Sequence, residues 1–253
     1  MKTLTEKALV WAHRGASGYR PENTIEAFAL AAEMGADGVE LDVHFTKDKQ
    51  VVVLHDERID RTSNGQGEVT LYTLDELRQF DFGYKFYGEL RGVRISTLDE
   101  VYALLGPLGL TVNVEIKSAD PEMPAACHAI AKKYGMENKV IYSSFDHLQI
   151  FRMKQLVPDA FIAPLYGFNL LNPWNYARDI SAQAVHPRDI LLDRIDLYVE
   201  KCHEAGIRVH SWTANSEDQI KALLFKGADA IITNYPDIAL RLRSEYMKEE
   251  NGK

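Results

Sequence analysis

The sequence predicts an α/β fold: a (β/α)8 TIM barrel that forms a single domain over residues 1–253, with a small insertion at about residues 57–95. Short runs rich in β-branched residues alternate with longer amphipathic runs, which is typical of a parallel sheet covered by helices. About eight such units in about 250 residues fit a barrel of this kind. No Gly-x-Gly-x-x-Gly motif follows the first strand, and this weakens the alternative of a doubly wound sheet.

The predicted strands are short apolar runs, and the predicted helices between them are amphipathic. The strands are Leu9–Arg14, Gly38–Phe45, Val51–His55, Leu110–Lys117, Lys139–Phe145, Phe161–Tyr166, Ala182–Pro187, Ile207–Thr213 and Ala228–Thr233. The helices are Thr24–Met34, Leu98–Leu105, Met123–Tyr134, His147–Leu156, Ile195–Ala205, Glu217–Lys226 and Pro236–Tyr246. Three helix starts resemble capping boxes. They are Asn23 with Glu26, Thr97 with Glu100, and Ser216 with Gln219.

The stretch from Glu57 to Ile95 breaks this alternation. It is rich in Gly, Arg, Asp and Tyr and contains one short helical signal, at Thr73–Gln79. A structureless loop of this length is uncommon inside a barrel, so we interpret the stretch as a small folded insertion. Because it begins directly after His55, we expect it to lie over the carboxyl-terminal mouth of the barrel, where its aromatic and Arg side chains can contact substrate.

The composition restricts the class of partner. The chain has 29 Lys and Arg against 37 Asp and Glu, a net charge of −8, and its 46% of hydrophobic residues is that of an ordinary soluble protein. An acidic balance argues against nucleic acid or an anionic membrane as partner, because binding to phosphate backbones or headgroups requires a basic face. A small anionic substrate is still compatible with it, since a site can carry local positive charge.

The cysteines and the amino-terminal segment bear on location. Cys127 and Cys202 lie far apart and form no Cys-x-x-Cys motif, which indicates reduced thiols. The amino-terminal segment lacks the pattern of a signal peptide, and no run approaches the ~18 apolar residues of a membrane span. We therefore expect a cytoplasmic protein without stable membrane anchoring, for which a homo-oligomer is one of the open states.

Carboxylates alternate with apolar residues on two predicted strands. On the second strand Glu40 and Asp42 share the inward face, and on the fourth Glu115 and Lys117 face inward. Carboxylates so placed repel one another and lose solvation, so they need a cation. Three inward carboxylates suit a hard divalent ion such as Mg²⁺ or Ca²⁺. Surface carboxylates paired with Lys or Arg are the simpler alternative.

Two histidines end predicted strands, where barrel enzymes build their sites. They are His13, before Arg14, and His55, before Asp56. Histidine exchanges protons near neutral pH, so this pair is suited to acid and base roles. The other histidines are weaker candidates, including His186 and His210 at strand ends on the far side.

Basic and aromatic side chains also fall at strand ends. Arg14 and Lys117 can bind phosphate oxygens, balance the carboxylates, or do both. Trp212 closes the predicted strand Ile207–Thr213, and Phe145 has a similar position. Both aromatics are candidates for an apolar wall that binds substrate, with simple packing as the alternative.

Seven motifs follow one another in an order and approximate spacing that is specific when they are taken together. They are His13-Arg14-Gly15, Pro21-Glu22-Asn23-Thr24, Glu40-x-Asp42, Leu54-His55-Asp56, Asn113-x-Glu115-x-Lys117, Ser144-Phe145-Asp146 and Trp212-Thr213-x-Asn215. On these motifs the chain resembles the glycerophosphodiester phosphodiesterases from about Leu9 to about Leu240.

This resemblance implies a barrel with an insertion after the second His-bearing strand. It also implies hydrolysis of a glycerophosphodiester to sn-glycerol 3-phosphate and an alcohol, with a divalent cofactor, Ca²⁺ or Mg²⁺. The implied residues are Glu40, Asp42 and Glu115 for the metal, His13 and His55 for acid–base catalysis, and Arg14 and Lys117 near the phosphate.

Three other functions are kept open. A metal-dependent barrel lyase or aldolase would use Lys117 as a base or Schiff-base residue. A non-catalytic phosphate-binding barrel would lack an acid–base residue, and none is lost here. A lysophospholipase D-type enzyme would act on lipids, although no long apolar loop is evident in the sequence. The headgroup, the ion, and the choice between water and a glycerol hydroxyl as nucleophile are left undecided.

Overall fold

The computed structural model describes residues 8–251. The strands are β1 (Leu9–His13), β2 (Gly38–Phe45), β3 (Val51–Val53), β4 (Ser96–Thr97), β5 (Thr111–Ile116), β6 (Val140–Ser144), β7 (Phe161–Tyr166), β8 (Ala184–Pro187), β9 (Arg208–Ser211) and β10 (Ala230–Thr233). The helices are α1 (Ile25–Glu33), α2 (Leu74–Leu77), α3 (Tyr84–Tyr87), α4 (Leu98–Leu105), α5 (Met123–Lys133), α6 (His147–Leu156), α7 (Pro173–Asp179), α8 (Tyr198–Glu204), α9 (Glu217–Phe225) and α10 (Pro236–Asn251). None of the helices within residues 8–251 is both long and apolar enough to cross a bilayer.

Parallel strands close into a ring, because β1 hydrogen-bonds to both β2 and β10. Around the ring the order is β1, β2, β5, β6, β7, β8, β9 and β10. Successive side chains on each strand point to opposite faces. On β2, Val39, Leu41 and Val43 pack into the main hydrophobic core with residues of the surrounding helices, which turns the polar residues between them inward. The predicted (β/α)8 barrel is confirmed, and its closure excludes the doubly wound sheet.

The prediction of a barrel strand at Val51–His55 was wrong in its length and in the direction of its pairing. Strand β3 covers Val51–Val53 and runs antiparallel to the end of β2 and to β4. The chain reverses within a tight turn, in which the Thr46 amide donates to the Gln50 carbonyl over 3.0 Å. A parallel crossover needs a dozen or more residues, so this turn permits only an antiparallel hairpin. His55 therefore follows a hairpin strand and does not end a strand of the barrel.

The helix starts follow the predicted capping boxes in two cases of three. Thr97 and Ser216 both form reciprocal capping boxes with the residue three positions later. Asn23 does not, because Thr24 is the N-cap of α1. Helix α7, which begins at Pro173, was missed by the prediction because it has only seven residues and few of them are buried.

The inserted stretch has a small core of its own. Ile59, Val69, Leu77 and Phe82 pack together with Leu54, the residue that follows β3. Two 3₁₀ turns and the short helices α2 and α3 make up its regular structure. Buried apolar side chains thus explain how a stretch of this length holds a defined conformation.

Candidate active site

Three carboxylates converge inside the barrel at the carboxyl ends of β2 and β5. Asp42 and Glu115 are direct neighbours in the register of these two strands, and Glu40 lies one inward position earlier on β2. All three side chains are buried, and one oxygen of each lies within 4.8 Å of the others. The structure therefore brings together the three residues predicted from strand alternation.

Mutual repulsion and burial shift the proton equilibria of these carboxylates. Burial, together with the charges of Asp42 and Glu115, raises the pKa of Glu40 well above its usual range. Burial and Asp42 raise the pKa of Glu115 to about 7. Burial also acts on Asp42, but Arg14 and other nearby cations outweigh it and lower the pKa of Asp42. A divalent cation would relieve this repulsion and displace the protons.

The donor set fits such an ion. Asp42 Oδ1 is buried and accepts no hydrogen bond from any residue of the described chain, so it has a free acceptor position. Its other oxygen, Oδ2, accepts a hydrogen bond from Asn23 Nδ2 over 2.9 Å, which fixes the orientation of the carboxylate. Oxygen ligands held by neighbouring groups in this way are what hard divalent ions bind.

Arg14 joins the carboxylates to the loop after β1. Its backbone is left-handed, with φ of 56°, and its amide donates to Glu40 Oε2 over 3.0 Å. The guanidinium Nε lies 3.5 Å from Asp42 Oδ2, and Nη1 donates to Glu22 Oε1 over 3.0 Å. Arg14 thus lies at the cluster with its side chain held from two sides, as a phosphate-binding group would need to be.

His13 ends β1 in register with Glu40 on β2. Its Nδ1 donates to Asn234 Oδ1 over 2.7 Å, because an amide oxygen can only accept, and its Nε2 lies 3.9 Å from Glu40 Oε2. Burial, with the nearby charge of Arg14, lowers the pKa of His13 to about 4. The imidazole is therefore neutral at pH 7, with a free lone pair on Nε2 toward the cluster.

His55 reaches the same cluster from the hairpin. Its Nδ1 donates to Asp56 Oδ1 over 2.6 Å, and its Nε2 lies 3.2 Å from Lys117 Nζ. Lys117 in turn donates to Glu115 Oε1 over 2.8 Å. Burial opposes the charged form of Lys117, but Glu115 and Asp42 outweigh it and raise the pKa of Lys117. His13 thus approaches the carboxylates beside Glu40, and His55 approaches them through Lys117.

Phe145 and Trp212 form an aromatic pair beside Lys117. Their ring centroids lie 5.5 Å apart at 89°, and Lys117 Nζ lies 5.7 Å from the Phe145 centroid. Trp212 follows β9 and does not close it, since that strand ends at Ser211. Its Nε1 donates to the His186 carbonyl over 2.8 Å, while Phe145 remains 49% exposed. The pair therefore presents apolar surface next to the charged groups.

The remaining strand-end histidines do not join the site. His186 and His210 are buried and hydrogen-bonded to each other over 2.9 Å. His210 lies level with Leu9 in the strand register, at the start of β1, whereas His13 is at its end. Their side chains belong to the interior of the barrel.

A family model described as the glycerophosphoryl diester phosphodiesterase family matches residues 13–238. The chain belongs to this family. A glycerophosphodiester phosphodiesterase of Caldanaerobacter subterraneus subsp. tengcongensis is 41% identical over 93% of this chain and 98% of that relative. One so named from Bacillus subtilis is 33% identical over 95% of this chain and 88% of its own length. The structure of an Oleispira antarctica phosphodiesterase in complex with the product sn-glycerol 3-phosphate has a TM-score of 0.87 and 27% identity, and the match covers 94% of this chain and 97% of that one.

Membership of the glycerophosphoryl diester phosphodiesterase family confirms the resemblance inferred from the seven motifs. It also confirms the expectation of an enzyme of this class. The roles of single residues stay predictions, which the geometry described above supports.

Within this family site, sequence reasoning missed several side chains that hold the others. Asn23 was interpreted as a helix cap but anchors Asp42. Asn234, which follows the last barrel strand, anchors His13. Asp56 stood in a recognised motif without a role, and Arg61 in the insertion contacts it. A polar residue directly after a barrel strand is a usable signal for Asn234, while no sequence signal identified Arg61.

Proposed function

We propose that the chain hydrolyses glycerophosphodiesters to sn-glycerol 3-phosphate and an alcohol, with a divalent metal and two histidines. One observation carries this proposal: three buried carboxylates cluster with Arg14 and Lys117, with His13 beside Glu40 and His55 beside Lys117. The Oleispira relative, which holds sn-glycerol 3-phosphate as its product, supports the substrate class.

Glu40, Asp42 and Glu115 would hold the ion, Ca²⁺ or Mg²⁺, since all their donors are oxygens. Bound there, the ion supplies positive charge to the phosphate and its transition state. Arg14 and Lys117 add fixed positive charge and hydrogen-bond donors for the phosphate oxygens.

The histidines would move the protons. One histidine would take a proton from the attacking hydroxyl, and the other would protonate the leaving alkoxide. Asn234 holds Nδ1 of His13 and Asp56 holds Nδ1 of His55, so that each ring has Nε2 available for the transfer. The proton lost by the nucleophile and the one gained by the alcohol balance over the reaction.

A lyase mechanism is disfavoured by Lys117. A Schiff-base or general-base lysine needs a neutral amine, and neighbouring carboxylates raise the pKa of Lys117. It is also hydrogen-bonded to Glu115 and adjoins His55.

A lysophospholipase D-type activity is the second candidate, and one observation favours it. Phe168, Leu171 and Leu197 are exposed in the loops that follow β7 and β8, at the mouth end of the barrel. Apolar surface at an entrance suits a substrate whose glycerol carries an acyl chain.

We further propose that the chain acts as one cytoplasmic domain with the insertion against its mouth. Cys127 and Cys202 are free thiols buried in the core, which suits a reducing compartment. Arg61 of the insertion contacts Glu22 in the loop after β1, which supports its position at the mouth.

The test is release of glycerol 3-phosphate from a panel of glycerophosphodiesters, and of acylated glycerol 3-phosphate from one lysophospholipid. Each substrate is measured with Ca²⁺, Mg²⁺, Mn²⁺ and a chelator. We expect product from the water-soluble diesters with at least one ion. Absence of glycerol 3-phosphate with every ion would overturn the proposal, and faster release of acylated glycerol 3-phosphate from the lysophospholipid would favour the second candidate.

A further inference from the structure

Arg61 occupies the first 3₁₀ turn of the insertion, Ile59–Arg61, shortly after His55 and Asp56. All three of its guanidinium nitrogens donate hydrogen bonds. Nε donates to Asp56 Oδ2 over 2.5 Å, and Nη1 and Nη2 donate to the two carboxylate oxygens of Glu22, each over 2.7 Å. One planar group from the insertion therefore binds two carboxylates from separate parts of the chain.

Each of these carboxylates also holds a predicted active-site residue. The other oxygen of Asp56 accepts from His55 Nδ1, and Glu22 Oε1 accepts from Arg14 Nη1. Arg61 is thus separated by a single intervening side chain from His55, a proposed acid–base residue, and from Arg14, a proposed phosphate-binding group.

We propose that Arg61 is a positioning residue, which sets the orientation of His55 through Asp56 and of Arg14 through Glu22. The inference rests on the proposed function, because it assigns Arg61 a role in that reaction. It also gives the insertion a part in catalysis, through one side chain, that is separate from any selection of headgroups.

The chemistry of the contact requires arginine. Its planar fork satisfies both oxygens of Glu22 while Nε remains available to Asp56, whereas a lysine ammonium is a point charge on a flexible stem. Although burial opposes it, the hydrogen bond and charge of Arg61, with His55, lower the pKa of Asp56 to about 2. Asp56 therefore remains a carboxylate acceptor for His55 throughout the neutral range.

A simple surface ion pair is the alternative, since Arg61 is 47% exposed and exposed pairs contribute little to stability. The two readings differ in what they predict for catalysis. A surface pair would affect stability slightly and turnover not at all, whereas a positioning residue would affect turnover and depend on Asp56.

The experiment compares Arg61→Gln and Arg61→Lys with a matched control, Arg58→Gln. Arg58 lies three residues earlier, is similarly exposed, and pairs with Asp60. We expect both Arg61 variants to lower kcat by ~10–100-fold, the usual cost of losing a group that orients an active-site residue. Binding of Mn²⁺ alone and the melting temperature should stay near wild type, and Arg58→Gln should keep the wild-type kcat.

The decisive measurement combines the Arg61 substitution with a substitution of Asp56. Arg61→Gln added to Asp56→Asn should lower kcat by clearly less than it does in the wild type, because part of its effect already passes through Asp56. If Arg61→Gln does not fold, Arg61→Lys is used instead. It keeps the positive charge and the aliphatic part of the side chain, and tests the loss of the planar guanidinium.

The outcomes separate the two proposals. Wild-type kcat in folded Arg61→Lys and Arg61→Gln, or full additivity with Asp56→Asn, would overturn the positioning role while leaving the proposed function intact. No glycerol 3-phosphate from the wild-type protein with any ion would overturn the proposed function itself, and this inference with it.

Discussion

The two sides of the barrel mouth differ in chemistry. The side built by β1, β2, β5 and the hairpin brings the buried carboxylates together with His13, which lies beside Glu40, and with His55, which lies beside Lys117. The side after β6 and β9 presents the rings of Phe145 and Trp212, which meet the charged set at Lys117. The comparison teaches that charge is concentrated where a phosphodiester would react, and apolar surface where the alcohol would lie.

The largest effect is expected from the carboxylates of the charged side. Glu115→Gln removes one proposed ligand and should lower the affinity for Mn²⁺ by at least ~100-fold, beyond the usual cost of losing an outer-shell partner. Turnover should fall below detection at ordinary metal concentrations. Calorimetric titration of the metal-stripped protein gives the affinity, with Glu137→Gln, an exposed carboxylate, as the control. Equal affinities in the two variants would contradict the assignment.

The histidines come next. His13→Ala and His55→Ala should each lower kcat by ~10²–10⁴-fold, the range for loss of a general acid or base. Both variants should still bind Mn²⁺, because the three carboxylates are intact. Steady-state kinetics with saturating metal measures the effect. A near-normal kcat in His55→Ala would remove that residue from the mechanism.

Metal affinity should depend on pH through Glu115. Burial and Asp42 raise its pKa to about 7, so below pH 7 a proton occupies the carboxylate that the ion needs. Because the pKa of Glu40 is also raised well above its usual range, affinity should rise by at least about tenfold per pH unit up to pH 7 and go on rising above it while Glu40 loses its proton, with proton release on binding. Titration of Mn²⁺ between pH 5.5 and ~8.5 measures this. An affinity that does not change across this range would show that no such proton competes with the ion.

A smaller effect is expected on the aromatic side. Phe145→Ala should raise KM by ~2–10-fold for diesters with an apolar alcohol and leave kcat nearly unchanged, in keeping with the modest energy of an aromatic contact. Phe225→Ala, at an exposed position on α9, is the matched control. A large loss of kcat with unchanged KM would show that Phe145 acts in the chemical step, and would contradict the division of the mouth into a charged side and an aromatic side.

The smallest effect is expected from the outer part of the insertion. Replacing residues 84–90 by a short Gly-Ser linker leaves Arg61 in place and removes α3, whose Tyr87 hydroxyl contacts Glu26 at the start of α1. If this part contacts the alcohol headgroup, the ranking of diesters should change by a few-fold while metal binding persists. An unchanged ranking in a stably folded variant would limit the segment to packing.

Local periodicity was enough to predict the barrel and the inward carboxylates. A period of two places Glu40 and Asp42 on one face of β2, and apolar neighbours decide which face is inward. The pairing of Asp42 with Glu115 also needed the strand register, which depends on how the whole sheet assembles.

Contacts across large sequence separations were beyond the reach of the sequence. Asn234 is 221 positions from His13, and only closure of the barrel brings them together. Predicting the contacts of Arg61 would have required knowing the path of the insertion. Asn23 carried a helix-capping pattern that tertiary structure overrode, because its amide holds Asp42 while Thr24 takes the cap.

Metal-dependent turnover tests the central claim most directly. The protein is stripped of metal with a chelator, freed of the chelator, and assayed for glycerol 3-phosphate release before and after Ca²⁺ or Mg²⁺ is added. The account predicts no detectable turnover in the stripped protein, recovery with at least one ion, and no recovery in Glu115→Gln at the same ion concentration. Full turnover by the stripped protein, or full recovery in Glu115→Gln, would contradict it.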